Sequence, residues 1–331
     1  MAFVVDSSDW NFNGRSSDQV QIVIERFLDQ LAKATECGER VWIGDALQSR
    51  AVRGTNDLWS LRDADSDLQL NPEIWQELAA YLGRSLHYLD EEHWPDNFDD
   101  INISIDGGSP SDNEDVAWAH HNVQAGTAVA CIGLWRSGLF QTTSNHGSVE
   151  VRWLYDERSK AEFWRSAIVL EGDTQADLVR LAHRAYPNLY FHLDVLNKAD
   201  EFNGGYHANA PELKRYLENL SDYGAWVFTA PPPAETQQDP RFGTGSPTSQ
   251  LIQRRFELIG LVVAPENPDV FRDGRCRRAR EIEVEMKTLY CEWHCKLQGH
   301  QNRIHIHGPI RESGDKVVVA IFAVHLPLPG Y

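Results

Sequence analysis

Apolar residues recur at near-helical spacing between Asp18 and Glu36, where Val20, Ile22, Val23, Ile24, Phe27, Leu28, Leu31 and Ala32 mark one helix. Ser16 or Ser17 stands where a cap is needed. The next run, Arg40-Val41-Trp42-Ile43-Gly44, reads as a short strand. A second helix is expected from Pro72 to Leu86, with proline allowed in its first turn. Residues 101–106 alternate apolar and polar as a strand does, and 107–115 read as a polar loop. In Trp118-Ala119-His120-His121-Asn122 a strand would turn the two histidines to opposite faces. Strands are expected at 127–134, 138–143 and 148–155, the last two joined by the Asn145-His146-Gly147 turn. Helices follow at 157–169 and 174–185, then a strand near 189–192, a helix from Pro211 to Leu220, and a strand at Ala225–Thr229.

Residues 230–249 break the pattern with Pro231, Pro232, Pro233, Pro240 and Pro247 among Gly, Ser and Gln, the composition of a linker or exposed loop. Beyond it come a short helix, a strand at Leu258–Val263 and a basic stretch from Arg272 to Arg280. The pattern predicts an α+β protein in three parts. Residues 1–229 form a sensor or regulatory portion with a mixed sheet and helices. Residues 230–249 link it to a small C-terminal α/β domain, 250–331, with antiparallel strands.

Length and charge sharpen this division. A chain of 331 residues exceeds one average domain. Its net charge is −18, yet residues 253–331 hold 12 Lys+Arg against 10 Asp+Glu, so all of the excess acidity lies before them. The acidic portion repels polyanions at long range, whereas the C-terminal portion accepts one locally. No run approaches the roughly 18 apolar residues of a membrane helix. The first residues lack a basic region followed by an apolar one, and five cysteines fit reduced thiols. A cytoplasmic protein without membrane contact is expected.

The chemistry concentrates at the C-terminal end, where five of thirteen histidines lie. Alternation in Arg303-Ile304-His305-Ile306-His307 turns Arg303, His305 and His307 one way and the two isoleucines the other. The run Lys316–Val324 is nearly all apolar, as a central strand should be, and leaves His325 at the sheet margin. RNA cleavage needs an acid, a base and cations, so His305 or His307 with Arg303 as phosphate clamp is a catalytic candidate, with His325 as a fourth member. Arg277 and Arg278 in the basic stretch, with Lys296, are phosphate-binding candidates. No cofactor is needed for this chemistry. The alternative is zinc: Cys291 and Cys295, sharing a helical face at i and i+4, with His305 and His307. Glu285-Met286-Lys287 with Asp273 is a fragment of the kind found in metal-dependent nucleases.

The order of a basic helix, Trp293-His294-Cys295-Lys296-Leu297, Arg303-Ile304-His305-Ile306-His307, a polar turn and a long apolar strand ending in His325 resembles the RelE/ParE toxin superfamily. The resemblance covers about residues 276–331. It implies an endoribonuclease that cuts RNA without a metal, with RNA or the ribosome as partner. By position Arg303 matches the arginine on the family's central strand, His325 a terminal active-site residue, and Lys296 a basic residue from a helix. Two departures stand out: the large acidic N-terminal portion, and a C-terminal charge that is only mildly positive. The whole chain also resembles bacterial proteins without an assigned function. By analogy, a regulatory portion fused to a nuclease-like end is the architecture of many antiviral effectors. The expectation is therefore a toxin-like effector controlled by its own N-terminal portion or by a protein partner. The other class is a non-catalytic subunit or binding module of a defence complex.

Overall fold

The protein, seen as a computed structural model, is described for residues 2–62, 68–88, 94–95, 100–231, 245–299 and 301–330. Its fold is of the α+β class. The chain gathers into two compact units, Met1–Glu171 and Gly172–Tyr331. The 230–249 stretch lies within the second unit, and its residues 232–244 lie outside the described ones.

In the first unit the strands are β1 (Ala2–Val5), β2 (Arg40–Ile43), β3 (Ala51–Arg53), β4 (Asn56–Asp57), β5 (Leu86–His87), β6 (Asn102–Ile105), β7 (Ser111–Asp112), β8 (Val129–Ile132), β9 (Gly138–Ser144) and β10 (Gly147–Leu154). The helices are α1 (Ser17–Glu36), α2 (Ala46–Ser49), α3 (Pro72–Leu82), α4 (Glu114–Gln124) and α5 (Glu157–Leu170). Among the described residues, one sheet runs β5-β2-β1-β8-β10-β9-β6-β7. The five strands from β5 to β10 are parallel; β9, β6 and β7 extend the sheet in antiparallel fashion. Helix α1 starts where its sequence says it should. The Ser16 hydroxyl accepts from Gln19 N at 3.3 Å, and the Gln19 side chain accepts from Ser16 N at 3.1 Å. Both faces of β1 are covered. Phe3 packs edge-on against Phe163 and Trp164 of α5, and Val4 joins the cluster that holds Trp118 of α4.

In the second unit the strands are β11 (Leu189–Phe191), β12 (Val263–Pro265), β13 (Glu281–Val284), β14 (Lys287–Tyr290), β15 (Trp293–Lys296), β16 (Arg303–His307) and β17 (Val317–Ala323). The helices are α6 (Gln175–Ala185), α7 (Gly205–Val227), α8 (Ser249–Leu258), α9 (Pro268–Arg272) and α10 (Gly274–Arg278). The sheet order is β11-β17-β16-β15-β12, antiparallel except for β11 beside β17. One face carries α7 and α8. Gly224 of α7 lies so close to the sheet that a Cβ there would sit 3.0 Å from Val317 Cγ2. On the other face the hairpin β13–β14 places Ile282, Val284 and Leu289 against Val318 and Ala320.

Several expectations are corrected. Residues 118–122 belong to helix α4, capped by Asn113, whose side chain accepts from Val116 N at 3.2 Å. The helix is buried on both sides, so its apolar run loses the periodicity that separates helix from strand. Residues 225–227 are the last of α7, with Phe228 as its C-cap, and Val227 continues the buried stripe of Leu213, Leu217, Leu220 and Gly224. Pro211 lies inside that helix, which begins earlier, at Gly204 and Gly205, both in the left-handed region. Cys291 and Cys295 do not share a helical face, because β15 is a strand. The strand expected at 258–263 reduces to β12, since α8 runs through Leu258.

Candidate functional site

The antiparallel register of β15 and β16 sets His294 directly opposite His305, and Lys296 opposite Arg303. Directly opposed residues share a face, so these four side chains lie on the hairpin side of the sheet. Strand β12 pairs with β15, Ala264 opposite His294, and Glu266 N extends that pairing by donating to Glu292 O at 2.7 Å. The carboxylate that follows β12 is thereby delivered to the two imidazoles. Glu266 Oε1 lies 3.1 Å from His294 Nδ1 and 3.3 Å from His305 Nδ1. Arg280 Nε approaches the same oxygen to 3.1 Å, while its Nη1 is anchored on the carbonyls of Cys276 and Pro327, both at 3.0 Å. Arg303 Nη1 donates to His294 Nε2 at 3.2 Å.

The cluster is sealed: the side chains of Glu266, Arg280, His294 and His305 are 5%, 1%, 7% and 1% exposed. The three contacts to Glu266 Oε1 are close, yet none is aligned as a hydrogen bond. Among the described residues, Glu266 Oε1, Arg280 Nε, His294 Nδ1, both nitrogens of His305, Arg303 Nε and the Tyr290 hydroxyl are all buried without a hydrogen-bond partner. Buried polar atoms are nearly always paired, so this concentration marks a site and not ordinary core. Burial pushes the pKa of His305 down to about 4, against the pull of nearby Glu266, and keeps the ring neutral at pH 7. Burial alone would raise Glu266. The two imidazoles outweigh it and hold the carboxyl well below its ordinary range. Burial raises Tyr290 to about 12.

The donor set Glu266, His294 and His305 has its candidate ligand atoms all within 4.8 Å of one another, the one such group among the described residues. Ligands on a tetrahedral zinc with bonds of about 2 Å sit about 3.3 Å apart, which matches the carboxylate–imidazole separations. The cysteines are not part of it. Cys295 lies opposite Ile304 on the other face, and burial raises its thiol far above the ordinary value. Cys291 packs in the apolar cluster under the hairpin, its thiol raised to about 12 by burial and then by Glu266.

The other candidates are dispersed. His307 is half-buried and its Nδ1–H donates to Gly308 O at 2.8 Å. His325 is exposed, donating to Leu326 O at 2.7 Å. Arg277 pairs with Glu281 at 2.6 Å and lies over the Phe271 ring; Arg278 is exposed. Glu285 and Met286 form the tip of the β13–β14 hairpin, Glu285 with a positive φ. Sequence reasoning found Arg303 and His305 but missed Glu266 and Arg280. Glu266 lies 28 residues before His294 and enters the site only through strand pairing.

The first unit holds two further features. Strands β1 and β8 adjoin where the connections leave to opposite sides of the parallel sheet, the usual ligand position in such folds. There Asp6, Asp9 and Asp115 are buried beside Arg136. Between α5 and the β9–β10 hairpin lies an apolar cavity of about 530 Å³, bordered by Arg152 and Glu150.

No protein-family model, curated protein or solved structure matches the chain. Among the described residues no helix is long and apolar enough to cross a membrane.

Proposed function

We propose that the second unit, residues 172–331, is a metal-binding module that holds a transition-metal ion of the zinc class at Glu266, His294 and His305. The observation that supports it is the convergence of one carboxylate oxygen and two imidazole nitrogens at ion-pair distance, unaligned with one another, in a sealed site. Borderline nitrogen donors with one carboxylate favour zinc and its neighbours over magnesium or calcium. The three ligands come from neighbouring strands or their ends, so the ion would tie β12, β15 and β16 together, and its binding energy would add to folding energy. Deep burial favours such a structural role over an open catalytic one. Arg280 opposes the ion, because its fixed guanidinium already compensates Glu266; the affinity is therefore lower than the same three ligands would give alone. The test is metal analysis of protein purified without chelators from zinc-supplemented cells. We expect close to one ion per chain, and loss of it in Glu266→Gln and His305→Ala. Trace metal in the wild type rejects the proposal.

A second reading keeps the cluster free of metal and uses it for acid/base cleavage of RNA, the activity of a toxin-like effector under control of the first unit or a partner. What favours it is charge. With His305 neutral, the cluster holds one carboxylate, paired with Arg280, and a second guanidinium, Arg303, on His294, a balance suited to an anion. This reading predicts RNA degradation and growth arrest on expression of the wild type, both absent in His294→Ala. Intact RNA with either chain under every inducing condition sinks it.

A further inference from the structure

Resting on the metal reading, we propose that Lys296 and Arg303 form a binding site for a tetrahedral oxyanion, phosphate or a phosphate ester, and that metal occupancy at Glu266, His294 and His305 opens it. Lys296 and Arg303 are directly opposed on β15 and β16. Like charges in this position repel, and among the described residues neither is paired with a carboxylate, the Arg303 guanidinium resting on His294. Both are half-buried at the margin of the sheet, one step outward from the sealed histidine pair.

What occupies Arg303 at present is His294. A guanidinium can only donate, so His294 Nε2 must accept, and in a neutral ring the proton then sits on Nδ1. That proton faces Glu266 Oε1 at 3.1 Å. Ligation through Nδ1 needs the lone pair there, which moves the proton to Nε2. An N–H would then confront the Arg303 N–H, and the contact is lost. The released guanidinium, whose Nε is buried without a partner, needs an acceptor beside Lys296. A tetrahedral oxyanion supplies several, and arginine matches its geometry with two parallel bonds. The ion beneath adds positive charge to the same face. Metal and anion therefore bind with positive coupling, and by linkage each raises the affinity of the other equally, by about 10- to 100-fold.

The experiment titrates the full chain with zinc by competition against a chromophoric chelator, with and without sulfate, a tetrahedral dianion that keeps zinc soluble. Sulfate and adenosine monophosphate are then titrated calorimetrically into metal-free and zinc-loaded protein. We expect anion affinity to rise at least tenfold on zinc loading, and zinc affinity to rise equally with sulfate. Arg303→Met and Lys296→Met should abolish the coupling, and Arg303→Met alone should bind zinc more tightly than wild type when sulfate is absent. Tighter binding of the nucleotide points to a phosphate ester as ligand; equal binding points to the free anion. Zinc uptake with anion affinity unchanged, or with no anion binding, overturns this inference and leaves the metal reading standing. No zinc uptake by either the wild type or Arg303→Met overturns both.

Discussion

Asp115 offers a sharp test of how the first unit is held together. Its carboxylate is 1% exposed, accepts from Ser7 N at 2.9 Å and from the Tyr88 hydroxyl at 3.0 Å, and so ties α4 to the loop after β1. Burial is the largest influence on it and raises its pKa from 3.8 to about 6, with the Asp6 charge adding to the rise and the hydrogen bonds opposing it. The sign follows from linkage. The native state binds a proton that the unfolded chain has released, so stability falls as pH rises from about 4 to about 6 and stays low above that. Two pKa units correspond to roughly 3 kcal/mol. Asp115→Asn removes the ionisation and keeps an oxygen for Ser7 N. The assay is urea unfolding of wild type and variant between pH 4 and pH 7, followed by fluorescence, with the transition of the first unit analysed at each pH. We expect the wild type to lose on the order of 3 kcal/mol more than the variant over that range. Parallel pH profiles for the two proteins would refute the assignment of a buried, raised carboxyl at this position.

Three further substitutions test other parts of the reasoning. Arg280→Met leaves Glu266 buried without its guanidinium, so we expect a loss of about 3–5 kcal/mol in metal-free protein and a larger melting-temperature rise on adding zinc than in the wild type; equal zinc responses would count against it. At Gly133 a Cβ would lie 2.4 Å from Asp9 Oδ2 and 3.2 Å from Trp153, so Gly133→Ala should cost about 1–3 kcal/mol in chemical denaturation, and a neutral result would show that the Asp9 loop yields freely. Met286 at the tip of β13–β14 is fully exposed, so Met286→Lys should change stability by less than about 0.5 kcal/mol in a thermal melt, a larger loss implying contacts for the tip that the fold does not contain.

Central strands such as β8 and β17 were legible as short continuous apolar runs, and the amphipathic elements were legible where one face is solvated. Helix α1, with its capping box and single apolar stripe, and the β9–β10 hairpin, with its Asn-His-Gly turn, could be read because water on one side imposes a period. Helix α4 could not, because burial on both sides removes the polar positions that reveal periodicity, and the end of α7 could not, because its exposed face carries Tyr223, Ala225 and Trp226 in place of polar residues. In the site, alternation placed Arg303 and His305 on one face, as β16 does. Their partners were hidden. Glu266 and Arg280 carry no local motif, and His294 becomes the neighbour of His305 only through a register that the sequence does not encode locally.

Charge counting also pointed at the wrong kind of evidence, because what matters is whether a buried carboxylate already has its donors. The acidic first unit gathers three such groups around the end of β1, each committed to its own loops, and a further buried carboxylate, Glu39, pairs with Lys160 at 3.1 Å. Asp6 accepts from Ser8 N and Ser8 Oγ on one oxygen and from Arg136 and Trp153 Nε1 on the other. Asp9 takes the backbone N–H groups of Trp135 and Arg136 at 2.7 and 2.8 Å, and Asp115 takes Ser7 N and Tyr88. Carboxylates satisfied in this way hold a loop in place and have little left for a cation. Among the described residues the nearly neutral second unit buries one carboxylate this deeply, Glu266, with three donors around one oxygen and none aligned to it. A metal affinity set by unsatisfied donor atoms therefore belongs to the second unit. If that reasoning holds, Asp6→Asn should leave metal content unchanged, whereas Glu266→Gln should abolish it. Retention of metal by Glu266→Gln with loss in Asp6→Asn would show that excess charge, and not donor satisfaction, decides where this chain binds an ion.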